Sequence, residues 1–198
     1  MPIQPEERRS CHDSAARCFG TAYIFETRAA PLRISIKLLA FSSLAGPLAI
    51  GALVLSFGAK AAWVGVAVWV ALVLSIFQIV LALWSVVAQW TENLAEYLEA
   101  KKENYYLSDR YTELGNNTTY TDAEWRTEFA VLETRGLYRL RGDLSHDITD
   151  EEKRMGMRIS LRQFRRKCSS CGEIPQSVDA SACPVCGNYK KRKWRWLI

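Results

Sequence analysis

The chain lacks charge over two long stretches and has very little histidine. Twenty-two consecutive residues between Lys37 and Lys60 carry no charge, and a further 31 between Lys60 and Glu92 carry none. Runs of that length are rare in soluble cores and point away from a purely soluble fold. Only two histidines are present, His12 and His146, each isolated, and both read as surface or capping residues rather than general bases. There is no glycine-rich phosphate loop, no Ser/His/Asp set and no metal motif with an open position. These absences leave no catalytic constellation, so the expectation is a non-enzymatic protein with no small-molecule substrate. A cleavable signal peptide is also missing from the pattern. The apolar part begins near residue 38, after a long charged segment, with no short apolar region and cleavage site ahead of it. No internal repeat and no convincing strand precedes the cysteine-rich end.

The charge that is present is strongly polarised. Residues 1–37 carry net +2, residues 38–91 only Lys60, residues 92–157 net −6 and residues 158–198 net +8. An acidic middle is thus followed by a basic tail, which suits an anionic lipid surface or nucleic acid unless it is simply solvated.

A membrane-spanning helix needs about 20 apolar residues. Residues 38–57 and 63–84 meet that requirement. Trp63 and Trp84 are 21 residues apart, roughly 31 Å along a helix, and would sit at opposite interfaces. The link around Lys60 is too short for a domain, so the two spans read as a tight helical hairpin. Arg28, Arg33 and Lys37 before it and Lys101 and Lys102 after it place both termini on the cytoplasmic side by the positive-inside rule.

Small and polar residues in the second span fall on one stripe, with Ser75, Gln78, Ala82, Ser85 and Gln89 at three- and four-residue steps. The same steps continue to Glu92 and Glu96 if one unbroken helix carries on past the membrane. Glutamine in hydrocarbon is costly unless it pairs or meets water. The stripe therefore reads either as a helix–helix seam or as the lining of an oligomeric pore with glutamates at its mouth. In the first span Pro47 should introduce a kink, and Gly46 and Gly51 permit close packing.

The flanking regions read as cytoplasmic helices. Asp13 to Arg28 forms an amphipathic helix with Phe19 and Tyr23 on one face, ended by Pro31. A helix runs on from the second span to about Glu113. Thr121-x-x-Glu124 and Thr149-x-x-Glu152 are capping boxes that open two more helices. Trp125, Phe129 and Leu132 form the buried stripe of the first. Arg158, Arg162, Arg165 and Arg166 form the charged side of the second. Asp143 and Asp147 read as part of a solvated loop.

Of six cysteines, Cys11 and Cys18 are read as small buried residues. The other four form Cys168-Ser-Ser-Cys171, an 11-residue spacer and Cys183-Pro-Val-Cys186. Two intervening residues let both thiolates of a pair turn to one point, and Gly172 and Gly187 allow the tight turns that follow. Four thiolates favour tetrahedral zinc ahead of iron, in a closed and therefore structural site. The ribbon is flanked by Arg162, Arg165, Arg166 and Lys167 and by Lys190, Lys191, Arg192, Lys193, Trp194, Arg195 and Trp196. Basic residues interleaved with tryptophan suit nucleic acid or anionic headgroups equally well.

The expected fold is an all-α membrane protein, a two-helix transmembrane hairpin with cytoplasmic helices, plus a small C-terminal zinc ribbon. Its expected parts are an N-terminal helix over 1–33, the hairpin over 34–90, a helical region over 91–166 and the ribbon with its basic tail over 167–198. This layout resembles the SLATT group of two-transmembrane effectors. The cysteine spacing resembles that of the mobilome CxxCx(11)CxxC proteins. The resemblance implies a homo-oligomeric effector of bacterial antiviral defence in the inner membrane, which permeabilises the bilayer on activation. It also implies, as partner, a nucleotide-signalling sensor or a defence reverse transcriptase with its noncoding RNA or DNA. In the latter case an adaptor role is the alternative.

Overall fold

The computed structural model describes residues 3–57 and 64–190. Lys60, Trp63 and the tail residues Lys191, Arg192, Lys193, Trp194, Arg195 and Trp196 lie outside the described residues. Five helices follow one another: α1 (Pro5–Phe57), α2 (Val64–Val87), α3 (Trp90–Asn116), α4 (Asp122–Leu144) and α5 (Asp150–Gln163). No strand occurs among the described residues. The fold is all-helical, with a C-terminal four-cysteine cluster compatible with a zinc ribbon.

The helices form two compact units. One comprises Met1–Arg28 with Tyr97–Ile198, and the other is Ala29–Glu96. The first unit is therefore discontinuous in sequence. Its core gathers Cys11, Ala15 and Cys18 of α1, Leu107, Tyr111 and Leu114 of α3, and Trp125 and Leu132 of α4. Residues 11, 15, 18, 22 and 25 of α1 are all buried. Their three- and four-residue spacing turns one face inward, and their small size, Phe25 apart, brings neighbouring backbones close. Phe19, expected on the buried face, is half-buried and makes edge contacts with Tyr105 and Phe164.

Close approach is most evident at Gly20 and Gly156. A Cβ on Gly20 would lie 2.8 Å from the Gly156 carbonyl oxygen, and one on Gly156 would lie 2.9 Å from that of Gly20. Here α1 and α5 meet backbone to backbone. Beside this contact the Ser160 hydroxyl donates to the Ala16 carbonyl at 2.5 Å. The Ser108 hydroxyl donates to Ala15 O, Tyr111 Oη to Leu132 O and Trp125 Nε1 to Leu114 O. Polar atoms thus enter this core already paired, which removes the cost of burying them.

Both capping boxes form as the sequence pattern predicts. Thr121 and Thr149 accept from the backbone N–H of Glu124 and Glu152, whose carboxylates reach back to the cap residues. Helix α4 runs through Gly136 to Leu144, and Gly136 lies against the hydroxyl end of Tyr111, where a Cβ would meet Oη at 2.8 Å. The glycine serves packing here and does not stop the helix.

In the second unit, α2 and the adjoining part of α1 are apolar and long enough to cross a membrane. Their large side chains stand exposed. Phe41, Leu48, Trp69, Trp84 and Val87 are each at least 60% open. Two sequence expectations fail here. Pro31 does not end the first helix; Pro31 and Pro47 both lie inside α1. A proline removes one N–H bond, and the helix continues because the turns on either side keep theirs. Nor is the second span continuous with the next helix. Gln89 adopts a left-handed backbone, φ 51°, between α2 and α3. Its N–H donates to Val86 O, and the Asn93 side chain donates to the Ala88 carbonyl at 3.1 Å. The side-chain amide replaces a bond that the helix has lost.

Candidate metal centre

The cysteine site is built by two turns after α5. Cys168 N–H donates to Glu173 O, and Gly172 N–H returns to Cys168 O, with Gly172 at φ 73°. Only glycine takes that backbone without strain. The second turn is held differently. Gly187 has no positive φ but is buried, and a Cβ there would overlap Ser181. The left-handed residue is Asn188, whose N–H donates to Ser181 O. The two glycines therefore serve distinct needs, conformation at one and space at the other.

These turns bring the sulfurs of Cys168, Cys171, Cys183 and Cys186 within 4.8 Å of one another. The cross pairs are tighter, 3.9 Å for Cys168 with Cys183 and 3.8 Å for Cys171 with Cys186. A tetrahedral centre with metal–sulfur bonds of about 2.3 Å requires sulfurs about 3.8 Å apart. The four cysteines can thus hold a metal ion with little adjustment. Backbone N–H groups of Cys186 and Val185 point at the Cys183 sulfur and lower its pKa to about 6. Burial, and then the neighbouring sulfurs, pushes Cys186 up to about 12. Four thiols crowded this closely cannot all ionise alone, and a bound cation removes that conflict.

A family model for mobilome CxxCx(11)CxxC proteins matches residues 8–189. The chain belongs to that family. No curated protein and no solved structure matches it.

The family's cysteine module is clamped to the helical unit by arginines of α5. Arg158 donates to Ser177 O at 2.9 Å, to Ser181 Oγ at 3.1 Å and to the Cys186 carbonyl at 3.3 Å. Arg154 donates to Asn188 O at 3.2 Å. Arg158, read from sequence as part of the charged side of its helix, is thus committed to holding the module. Arg166 pairs with Asp13, while Arg162, Arg165, Lys167 and Lys190 stand exposed. Arg9, Arg166 and Lys167 line a cleft of about 350 Å³ beside Cys168 and Val185.

In the second unit the polar stripe divides. Gln78 and Ser85 are half-buried, on the side of α2 that also holds Ala67, Ala71 and Ala82. Ser85 Oγ donates to Ala82 O within the helix. Ser75, Gln89, Glu92 and Glu96 are exposed. The left-handed turn at Gln89 interrupts the line, so the glutamates do not continue the periodicity of the span.

The remaining one-residue readings also resolve. Cys11 and Cys18 are buried, and desolvation raises both thiols to about 11. They pack as small apolar residues. Asp143 does not sit in a solvated loop. It is buried at the end of α4, accepting from Asn104 Nδ2 at 2.8 Å and from Arg139 at 2.7 Å. Sequence gave no signal for the Asn104 partner. Arg139, four residues from Asp143, is the one contact that helical spacing makes visible.

Proposed function

We propose that this protein is a non-enzymatic membrane effector of SLATT type in bacterial antiviral defence. In this reading it sits in the inner membrane with both termini cytoplasmic, forms a homo-oligomer and permeabilises the bilayer when activated. The observation that carries the reading is α2, a helix of 24 residues without a charge whose large apolar side chains lie open. Exposed apolar surface of that extent needs lipid or protein around it. Gln78 and Ser85 act as the seam that holds the apolar helices together, and Ser75, Gln89, Glu92 and Glu96 face neighbouring copies or water. The four cysteines bind zinc as a structural centre, because all four positions are filled by protein. The trigger comes from a nucleotide-signalling sensor or a reverse transcriptase partner.

Membrane depolarisation on induced expression tests the reading. The expected result is rapid loss of potential, weakened by Gln78→Leu and by joint replacement of Glu92 and Glu96 with alanine. A protein that leaves the potential intact under full activation is not a permeabilising effector.

A second reading draws on the exposed Arg162, Arg165, Lys167 and Lys190 around the cysteine module. In it the protein is an adaptor that holds the RNA or DNA of a partner reverse transcriptase, with the apolar helices as anchor. That reading predicts nucleic-acid binding that weakens steeply with salt. It fails if neutralising Lys190 to Lys193 leaves the binding unchanged.

A further inference from the structure

Helix α4 buries one side in the core and exposes a partly apolar stripe on the opposite side. Its inner face, with Trp125, Phe129, Leu132 and Gly136, packs into the core. On the far side Thr127, Val131, Thr134 and Tyr138 follow at steps of four, three and four, bracketed by Glu124 and Arg141. Val131 is 58% exposed and Tyr138 80%, and both border a shallow groove along the helix. An exposed valine and tyrosine that border one groove form a patch suited to a partner.

We propose that this outer stripe of α4 is a self-association surface that pairs antiparallel with the same stripe of a second copy of the chain. The proposal rests on the reading above that the protein works as an oligomer, and it names the contact. Alternating three- and four-residue steps make the seam of an antiparallel helix pair. With the two-fold axis between Val131 and Thr134, Thr127 of one copy meets Tyr138 of the other, and Glu124 meets Arg141. The stripe is thus complementary to itself in charge as well as in shape. The ion pairs of α4 fit this register. Arg126 is paired with Glu7, Arg135 with Glu103 and Arg139 with Asp143. Arg141 has no carboxylate partner among the described residues. Glu124 uses one carboxylate oxygen, Oε2, for its cap bonds to Thr121, which leaves Oε1 for an incoming guanidinium. A membrane is the poorer occupant. The rim carries Glu128 and Glu133 as well as Arg126 and Arg135, whereas a helix lying on anionic lipid is edged with basic residues.

Thiol cross-linking of the full-length protein in membranes tests this. Chains carrying Thr127→Cys and Tyr138→Cys, separately tagged and co-expressed, should cross-link to one another. Two Thr127→Cys chains should not, because in this register their residues 127 lie roughly 16 Å apart along the axis. Arg141→Glu should lower the yield roughly tenfold, and adding Glu124→Arg in the same chain should restore it. Val131→Lys, which leaves the cap intact, should lower the yield as well. Equal cross-linking in the like and unlike pairs, no effect of Arg141→Glu, or failure of the double variant to recover while its helix content is normal would overturn the proposal. So would a Val131→Lys chain that cross-links fully but dissociates from the membrane. Cross-linking without depolarisation removes the effector reading and leaves this interface standing. Depolarisation without cross-linking does the reverse.

Discussion

Glu152 performs two tasks with one carboxylate. It closes the N-terminal cap of α5 on Thr149, and it takes both Arg28 Nε at 2.8 Å and Nη2 at 2.7 Å. Burial alone would raise its pKa, but the Arg28 hydrogen bonds and the Thr149 cap outweigh that and bring it down to about 2. A carboxyl whose folded pKa lies below its ordinary 4.5 contributes stability above that value and loses it as pH falls towards 2. Melting curves of the intact protein across that window should show the loss, and Glu152→Gln should flatten it while costing about 1 kcal/mol near neutrality. At Gly136 the expectation is steric. Gly136→Ala pushes a methyl against Tyr111 and should destabilise by about 1–3 kcal/mol in a denaturant titration. The cap of Glu152 was legible in sequence because its partner is three residues away. Its ion pair was not, because Arg28 lies 124 residues distant and only tertiary structure joins them. Asp143 was missed for the same reason.

Elements were more legible than their ends. Charge-free length identified the apolar helices, and threonine–glutamate spacing identified the starts of α4 and α5. Helix ends depend on single backbone residues, and there the periodicity misled: it ran straight through Gln89, where the backbone turns left-handed. A left-handed glutamine carries roughly 1 kcal/mol of strain that glycine does not. Gln89→Gly should therefore raise the melting temperature in detergent, whereas Asn93→Ala, which strips the bond to Ala88 O, should lower it. The cysteine module was read almost wholly from spacing, but its attachment was not. Arg158 anchors it through two loop residues and the Cys186 carbonyl. Arg158→Ala should leave the metal bound, by metal analysis, while making residues 172–182 more sensitive to limited proteolysis. Cys183→Ser should abolish metal binding, with most of the helical signal in circular dichroism kept, because the core cluster of α1, α3 and α4 contains no residue of the cysteine module.

On the scale of the whole molecule, the family assignment over residues 8–189 covers both units, so the apolar helices and the cysteine module belong to one inherited design. Linear reading divided the chain into four consecutive segments. It could not reveal that residues 5–28 and 97–163 share one core, since sequence order carries no sign of which distant faces meet. That core has a consequence for how the chain is made. A ribosome delivers α1, with its own apolar segment, first and α2 next. The partners of Cys11, Cys18 and Phe25 arrive only with α3, α4 and α5. Until then the first 28 residues wait with their apolar face uncovered. A nascent chain halted at residue 96 should expose both thiols to a maleimide reagent that the finished protein excludes. The order of synthesis thus holds this core open until α3, α4 and α5 have been made, so any partner present during translation meets an incomplete surface.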